Sequence, residues 1–298
     1  MVKKNRKVYY IITFTLVFLL LFFYWQNHTL QISRYELTYD NLPKSFDGYK
    51  IVQISDMHGK TFGKENKRLA NKIKSLKPDI LLITGDMMSS TIYDEGAFLE
   101  FLDHFNQTCP VYMCLGNHEQ IARYLTHDGD ENTRYSNFIN NITEKGVILL
   151  DNRMRTINNG TDSITISGLT LELYHYSRRD LDSYDENMSL TVPYIEEVLS
   201  ESPKHFNMLL AHNPVYFEEY VSWGTDLVFT GHIHGGIIRI PFLGGVFSPE
   251  RVLFPEYDSG LFQIGDSRMI VNRGLGYSKV NLRLFNRPEI SFIRLMKK

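Results

Sequence analysis

The sequence has 298 residues, of which 43% are hydrophobic and 22% charged, and its formal net charge is −2 at pH 7. This length permits one large domain or two smaller ones, and the composition excludes a disordered or fibrous chain. Cys109 and Cys114 are the only cysteines. They are separated by about 16 Å of predicted strand, too far for a disulfide, so we expect two free thiols.

An uncharged apolar run of 18 residues covers positions 8–25. As a helix it would be about 27 Å long, close to the hydrocarbon thickness of a bilayer, with aromatic residues at both ends. A cleaved signal peptide is the alternative. The run is longer than a usual signal core, however, and no small-residue cleavage site follows it. We therefore predict a transmembrane anchor over residues 8–25.

Basic residues without an acidic neighbour precede this anchor, namely Lys3, Lys4, Arg6 and Lys7. The positive-inside rule makes residues 1–7 a cytoplasmic segment. The chain is thus expected to be a single-pass protein of the cell membrane, with the domain after the anchor on the extracytoplasmic side. Without those four residues, 28 Lys and Arg stand against 34 Asp and Glu, a charge of −6. Such a domain is not expected to bind nucleic acid by neutralising phosphates.

Residues 26–48 are predicted to be a linker and an edge strand, because polar and apolar residues alternate from Gln31 to Tyr39 before a turn-rich segment. From residue 49, β-rich runs alternate with helical patterns. Strands are predicted at 49–55, 80–84 and 111–115, and helices at 64–76 and 93–105. This alternation is typical of parallel strands with crossover helices, whose ligand sites lie at the carboxyl ends of the strands.

The second half repeats the pattern, with strands predicted at 206–211 and 227–230 that each lead to histidine. Hairpins are predicted at 155–168, 237–247 and 261–272, followed by a closing strand at 289–295. Residues 171–190 have no clear period and are predicted to form a loop at the rim of the site. Candidate substrate contacts outside the strand ends are His175, Arg239 and Arg273.

Five short motifs follow predicted strands: Asp56-x-His58, Gly85-Asp86, Gly116-Asn117-His118-Glu119, the lone His212, and Gly231-His232-x-His234. Each of them alone has an ordinary structural explanation, as a turn, a cap or a buried histidine. Together they supply hard oxygen and imidazole ligands for two divalent ions, including a carboxylate that can bridge them. The combination therefore predicts a metal site.

In this order the motifs resemble those of calcineurin-like metallophosphoesterases: D-x-H, G-D, G-N-H-[DE], H and G-H-x-H. Gly244-Gly245 and the run from Asn272 to Gly276 resemble the bacterial membrane-associated branch. Ile237 departs from that branch, which more often has glutamine there. The resemblance implies an α/β fold over residues 49–298, a four-layer α-β-β-α sandwich with two mixed sheets, preceded by one transmembrane helix.

The resemblance also assigns roles to the residues of the motifs. It implies that the first metal is bound by Asp56, His58 and His234, and the second by Asn117, His212 and His232. Asp86 would bridge the two ions, and His118 would be the catalytic acid. The ligand types allow manganese, iron, cobalt or zinc.

The implied activity is metal-dependent hydrolysis of a phosphomonoester, phosphodiester or pyrophosphate by a water that two metals activate. The anchor favours a substrate in the membrane or envelope, such as a lipid-linked phosphate ester. Two alternatives stay open. One is a nuclease or nucleotide phosphodiesterase, and the other is a non-catalytic, metal-dependent binding module.

Overall fold

The structure of the chain is a computed structural model that describes residues 2–90, 94–105, 107–125, 132–176, 189–236, 238–277 and 283–298. Its first element is helix α1 (Val2–His28), which exposes most of its apolar side chains. Among the described residues, only this helix is long and apolar enough to cross a membrane, over Arg6–His28. The structure therefore contains the helix that the predicted anchor requires.

The described part of the chain contains six further α-helices: α2 (Lys67–Lys74), α3 (Gly96–Phe105), α4 (Asn117–Leu125), α5 (Asn132–Glu144), α6 (Val192–Leu199) and α7 (Phe217–Trp223). The strands of the first half are β1 (Gln31–Tyr39), β2 (Lys50–Ile54), β3 (Ile80–Thr84), β4 (Val111–Cys114), β5 (Val147–Leu149), β6 (Arg153–Asn159) and β7 (Asp162–Leu169). Those of the second half are β8 (Asn207–Ala211), β9 (Leu227–Thr230), β10 (Arg239–Ile240), β11 (Gly244–Gly245), β12 (Gly260–Ile264), β13 (Ser267–Val271) and β14 (Glu289–Lys297).

Two six-stranded mixed sheets form the centre of the fold. The first has the order β1-β14-β2-β3-β4-β5, and the second β12-β13-β9-β8-β7-β6. Strands β2 to β5 are parallel neighbours, and so are β7, β8, β9 and β13. The predicted parallel units, the edge strand β1 and the hairpins β6–β7, β10–β11 and β12–β13 are confirmed.

Three hydrophobic clusters separate the layers of the sandwich. One lies between the two sheets and includes Ile51, Leu82 and Phe229. Another packs helices α2, α3 and α5 on the outer face of the first sheet, and the third packs α6 and α7 on the second. Burial on both faces explains why the central strands are apolar throughout. The predicted four-layer α-β-β-α architecture is confirmed.

Some boundaries differ from the predictions. The helix expected at 64–76 begins as a 3-10 turn, because Glu65 and Asn66 have positive φ angles, and α2 ends at Lys74. In the predicted rim loop, Leu173–Tyr176 forms a 3-10 turn, and residues 177–188 lie outside the described part, as does Ile237. Both cysteines are free thiols, as predicted.

Candidate metal centre

The five motifs meet because the two sheets pack face to face and are joined by hydrogen bonds near the carboxyl ends of their parallel strands. The Gln53 amide on β2 donates to Thr84 Oγ1 at 3.0 Å and to the Thr230 carbonyl, across the sheets, at 2.8 Å. His212 Nδ1, directly after β8, hydrogen-bonds the Thr84 carbonyl of β3. These buried polar contacts hold the ends of β2, β3, β8 and β9 around one point.

Asp56, His58 and His234 form the first group of possible metal ligands, with their ligand atoms within 4.8 Å of one another. Nε2 of His58 is 3.1 Å from Nε2 of His234, which is 3.3 Å from Asp56 Oδ1. Burial lowers the pKa of His58 to about 3 and that of His234 well below its usual value. Both imidazoles are therefore neutral at pH 7 and offer a lone pair to a metal ion.

Asp86, His212 and His232 form the second group. Asn117 is the first residue of α4 and lies between Gly116 and His118, both of which approach Asp86 Oδ1. Its own Oδ1 is buried without a hydrogen-bond partner among the described residues. A buried acceptor without a partner costs about 1–3 kcal/mol, so this atom needs an explanation. A divalent ion bound beside Asp86 would satisfy it, and the residues therefore fit a metal.

Asp86 lies between the two groups. Its Oδ2 is 3.7 Å from His58 Nε2 and 3.2 Å from His212 Nε2, while its Oδ1 accepts the His118 backbone N–H at 2.8 Å. Burial favours neutral His212, but Asp86 and Asp56 outweigh it and raise the pKa of His212 to about 10. A divalent ion would supply the same compensating charge, so its binding should release the His212 proton.

The backbone is strained at most of these positions. Positive φ angles are uncommon for residues other than glycine, and they cluster at functional sites, where the surrounding structure imposes them. Here five of the candidate ligands have φ between 48° and 67°: Asp56, His58, Asp86, His232 and His234. The fold thus turns the chain sharply after each strand, which directs the side chains to a common point.

Two glycines permit the close approach of these turns. A Cβ atom built on Gly116 would lie 2.2 Å from Asp86 Oδ1, and one on Gly231 would lie 2.4 Å from Asp56 Oδ2. Both distances are shorter than any real carbon contact. The glycines of the motifs G-N-H-E and G-H-x-H are therefore required by the packing of the candidate ligands.

His118 is the candidate catalytic acid. It lies beside His58, with 4.5 Å between ring centroids. Its Nδ1 accepts the Ser90 backbone N–H at 3.0 Å, and Ser90 Oγ is also 3.0 Å away. Because Nδ1 is an acceptor here, the neutral ring carries its proton on Nε2. The structure thus brings His118 to the same centre, together with His58 and Asp86.

Two supporting carboxylates were not identified from the sequence. Glu119 is fully buried and accepts the backbone N–H groups of four residues in the β3 and β4 turns: Asp86, Met87, Met88 and Gly116. Glu250 Oε1 is 2.8 Å from His232 Nε2. Glu119 belongs to the motif G-N-H-E, which is a sequence signal. Nothing in the pattern around Glu250 indicates its contact.

In the predicted rim loop, Tyr176 rather than the predicted substrate contact His175 lies next to the candidate ligands. His175 is 1% exposed and packs among Tyr174, Tyr194 and Tyr216, whereas the Tyr176 ring lies 5.0 Å from His232 and 5.9 Å from His212. The Tyr176 hydroxyl is buried with no hydrogen-bond partner among the described residues. Tyr176 therefore lies at the centre in place of its neighbour.

Both arginines considered as substrate contacts are held by carboxylates. Arg239 pairs with Asp258 at 3.0 Å and Arg273 with Glu289 at 2.9 Å. A different arginine, Arg283, is fully buried with its NH2 group 3.5 Å from His234 Nδ1. It contacts a candidate ligand directly, which its position in the sequence does not reveal.

The chain is similar over most of its length to several bacterial phosphoesterases and pyrophosphatases. YkuE, an uncharacterized metallophosphoesterase of Bacillus subtilis (strain 168), is 28% identical across 91% of this chain and 87% of its own length. UDP-2,3-diacylglucosamine pyrophosphatase LpxG of Chlamydia muridarum is 26% identical, with coverages of 91% and 92%. Phosphodiesterase YaeI of Escherichia coli (strain K12) is 26% identical, with coverages of 83% and 82%.

The calcineurin-like phosphoesterase family matches residues 49–236. This segment is more than half of the chain, and all five motifs lie within it. The family match agrees with the sequence motifs and with the centre that they form in the structure. The chain therefore belongs to the calcineurin-like phosphoesterase family and is a metal-dependent hydrolase.

Proposed function

We propose that the chain hydrolyses a phosphate ester or pyrophosphate of a membrane- or envelope-associated substrate at a two-metal centre. The observation that carries the proposal is the position of Asp86 Oδ2 between two groups of ligands. In this assignment Asp56, His58 and His234 would hold the first ion and Asn117, His212 and His232 the second. Asp86 would contribute its carboxylate to both, and the ions would be manganese, iron or zinc.

Two divalent ions in this centre would supply an activated water as nucleophile and positive charge for the phosphoryl oxygens. The protein side chains orient the rest of the reaction. As an imidazolium, His118 would present Nε2–H to the leaving oxygen and donate that proton there, which leaves a neutral ring. When the ring is protonated, Nδ1–H can donate to Ser90 Oγ, which is 3.0 Å away. Ser90 therefore orients the ring in both protonation states.

The proposed location follows from α1. A helix of this length with exposed apolar side chains suits a bilayer, and the basic residues before it favour a cytoplasmic N-terminus. Residues 1–7 would then be cytoplasmic, residues 8–25 the anchor, and the phosphoesterase domain extracytoplasmic. LpxG, which covers nearly the whole chain, is named for a pyrophosphatase acting on an acylated substrate. This supports a membrane-associated substrate for the present chain.

A substrate panel tests the reaction class. The full chain in detergent, loaded in turn with Mn²⁺, Fe²⁺ or Zn²⁺, should hydrolyse an aryl phosphodiester or a lipid pyrophosphate. Replacing His118 by asparagine should lower kcat about 10²- to 10⁴-fold, the usual contribution of a general acid, while both ions stay bound. The control is His104→Asn, which changes a partly exposed histidine paired with Glu65.

Two results would contradict this proposal. Turnover of nucleic acid alone would identify a nuclease, and bound metal without turnover of any phosphate ester would identify a binding module. A loss of metal in His118→Asn would instead make His118 a ligand.

Glu250 supplies a second prediction about the metals. Its hydrogen bond to His232 Nε2 orients the ring and leaves Nδ1 for the ion, the arrangement in which a carboxylate supports a metal-bound histidine. Glu250→Gln should lower the affinity for the second ion about 10- to 100-fold, measured by competition with a chelator. Glu256→Gln, at an exposed carboxylate six residues later, should leave it unchanged. Equal affinities in the two variants would show that Glu250 does not support His232.

A further inference from the structure

The anchor leaves the domain at the same edge of the first sheet as the metal centre. Strand β1 is parallel to β14, with Gln31 paired to Glu289, while β14 is antiparallel to β2, with Ser291 paired to Gln53. The beginning of β1 therefore lies beside the carboxyl end of β2, which leads to Asp56. Because α1 ends at His28, three residues before β1, the metal centre faces the side on which the anchor lies.

The junction between the anchor and the domain is held by several contacts. Asn27 accepts the Arg283 backbone N–H at 2.8 Å, and its own carbonyl accepts Lys60 Nζ at 2.7 Å. The guanidinium of Arg287 lies 4.6 Å from the Trp25 ring centroid and donates to the Thr29 carbonyl at 3.2 Å. The end of α1 is thus attached both to the segment after His58 and to residues 283–287.

A further contact joins the domain to a deeper part of the anchor. The Phe285 ring lies 5.6 Å from that of Phe22, which is three residues before Trp25 on the membrane side. At about 1.5 Å per helical residue, Phe22 lies about 4.5 Å deeper than Trp25. A tryptophan at the end of a membrane helix lies at the level of the lipid headgroups. Phe285 therefore contacts a side chain of α1 that lies below that level.

Other exposed apolar side chains lie near Phe285 and the end of α1. Phe242 and Leu243, in the β10–β11 hairpin, are 107% and 68% exposed, and Phe254 is 57% exposed. With Phe285 they form what we call the apolar rim. These four residues and Trp25 form the apolar part of the wall of a cavity of about 770 Å³, whose other side contains Arg239, Glu256, Asp258 and Arg287. A group of large apolar side chains on a surface indicates an interaction site, because their exposure to water is unfavourable in free energy.

The cavity is adjacent to the metal centre. Its wall includes Gly244 and Gly245. A Cβ atom on Gly236 would lie 2.6 Å from Gly245 Cα, and Gly236 is two residues after the candidate ligand His234. The backbone of the cavity wall therefore touches the turn that follows His234. This contact places the cavity on the same side of the domain as the candidate ligands.

We propose that the apolar rim lies in the interface of the bilayer that α1 spans, and that the cavity takes a membrane lipid bearing the scissile phosphate, with its acyl part against the apolar rim. The contact between Phe285 and Phe22 favours the bilayer over a protein partner, because it joins the apolar rim to the part of α1 that is expected to lie in the membrane. The identity of the substrate rests on the proposed function. The contact of the rim with lipid does not.

The first test measures depth. The full chain carries one nitroxide label, through Phe242→Cys in a background of Cys109→Ser and Cys114→Ala, and is placed in phosphatidylcholine vesicles. The label should collide more with dissolved oxygen than with a water-soluble nickel chelate. The control is a label at Glu201→Cys, an exposed position before the start of β8, at the opposite edge from the metal centre. Water-like collisions at both positions would overturn the proposal.

The second test separates lipid contact from catalysis. The double variant Phe242→Ser with Leu243→Ser should hydrolyse a water-soluble aryl phosphodiester at the parent rate. Its kcat/KM for a diacylated pyrophosphate in vesicles should fall at least about tenfold, the change expected when even one of the two apolar side chains loses its burial. An equal change for both substrates would contradict the proposal. A parent chain inactive on both substrates would overturn the proposed function, whereas the label would still decide the bilayer contact.

Discussion

Replacing Asp86 by asparagine is expected to lower kcat about 10³-fold, well beyond the loss typical of a residue that only supports a ligand. One Asp86 oxygen lies between both groups of ligands, 3.7 Å from His58 Nε2 and 3.2 Å from His212 Nε2. An amide is neutral and offers a single acceptor oxygen, so it cannot replace a bridging carboxylate. Both metal positions should therefore lose affinity together.

Steady-state kinetics and elemental analysis of the same preparation measure these two effects. The matched control is Asp103→Asn, which changes a 59% exposed carboxylate paired with Lys145 on the surface. It should retain the parent rate and two ions per chain. An Asp86→Asn variant that retained both ions and most of its rate would exclude a bridging role for this residue.

Replacing Glu119 by alanine is expected to lower the free energy of unfolding by about 3 kcal/mol or more, because several buried backbone N–H groups lose their acceptor. Each carboxylate oxygen accepts two of these groups, at distances between 2.8 and 3.2 Å. A native protein is stable by only about 5–15 kcal/mol, so the loss is large. Because the same groups hold the turn at Asp86, metal affinity should fall as well.

Urea unfolding of the full chain in detergent, followed by the fluorescence of buried Trp223, measures the change. Glu119→Gln should also destabilise, since its NH2 group would face backbone N–H donors. The control Glu144→Ala removes an exposed carboxylate at the end of α5. If Glu119→Ala and Glu144→Ala unfolded at the same urea concentration, the hydrogen bonds to Glu119 would not contribute to the stability of the fold.

The local pattern of the sequence was sufficient for the elements and for the candidate ligands. Hydrophobic runs predicted the strands that precede Asp56, Asp86, Asn117, His212 and His232, because strand formation and burial depend on nearby residues. The carboxyl ends of parallel strands meet at one edge, so their convergence could also be expected. The uncharged run at residues 8–25 predicted α1 for the same local reason.

The tertiary structure alone decided which residues support the centre. Glu250 meets His232 across 18 residues and Arg283 approaches His234 across 49, contacts that depend on how the loops pack. In the turn 173–176, the choice between His175 and Tyr176 depends on the rotation of one residue. Likewise, the insertion of β14 between β1 and β2 places the anchor beside the metal centre. Sequence periodicity reports which face of an element is buried, but not which distant group it meets, because that is set by the packing of the whole chain.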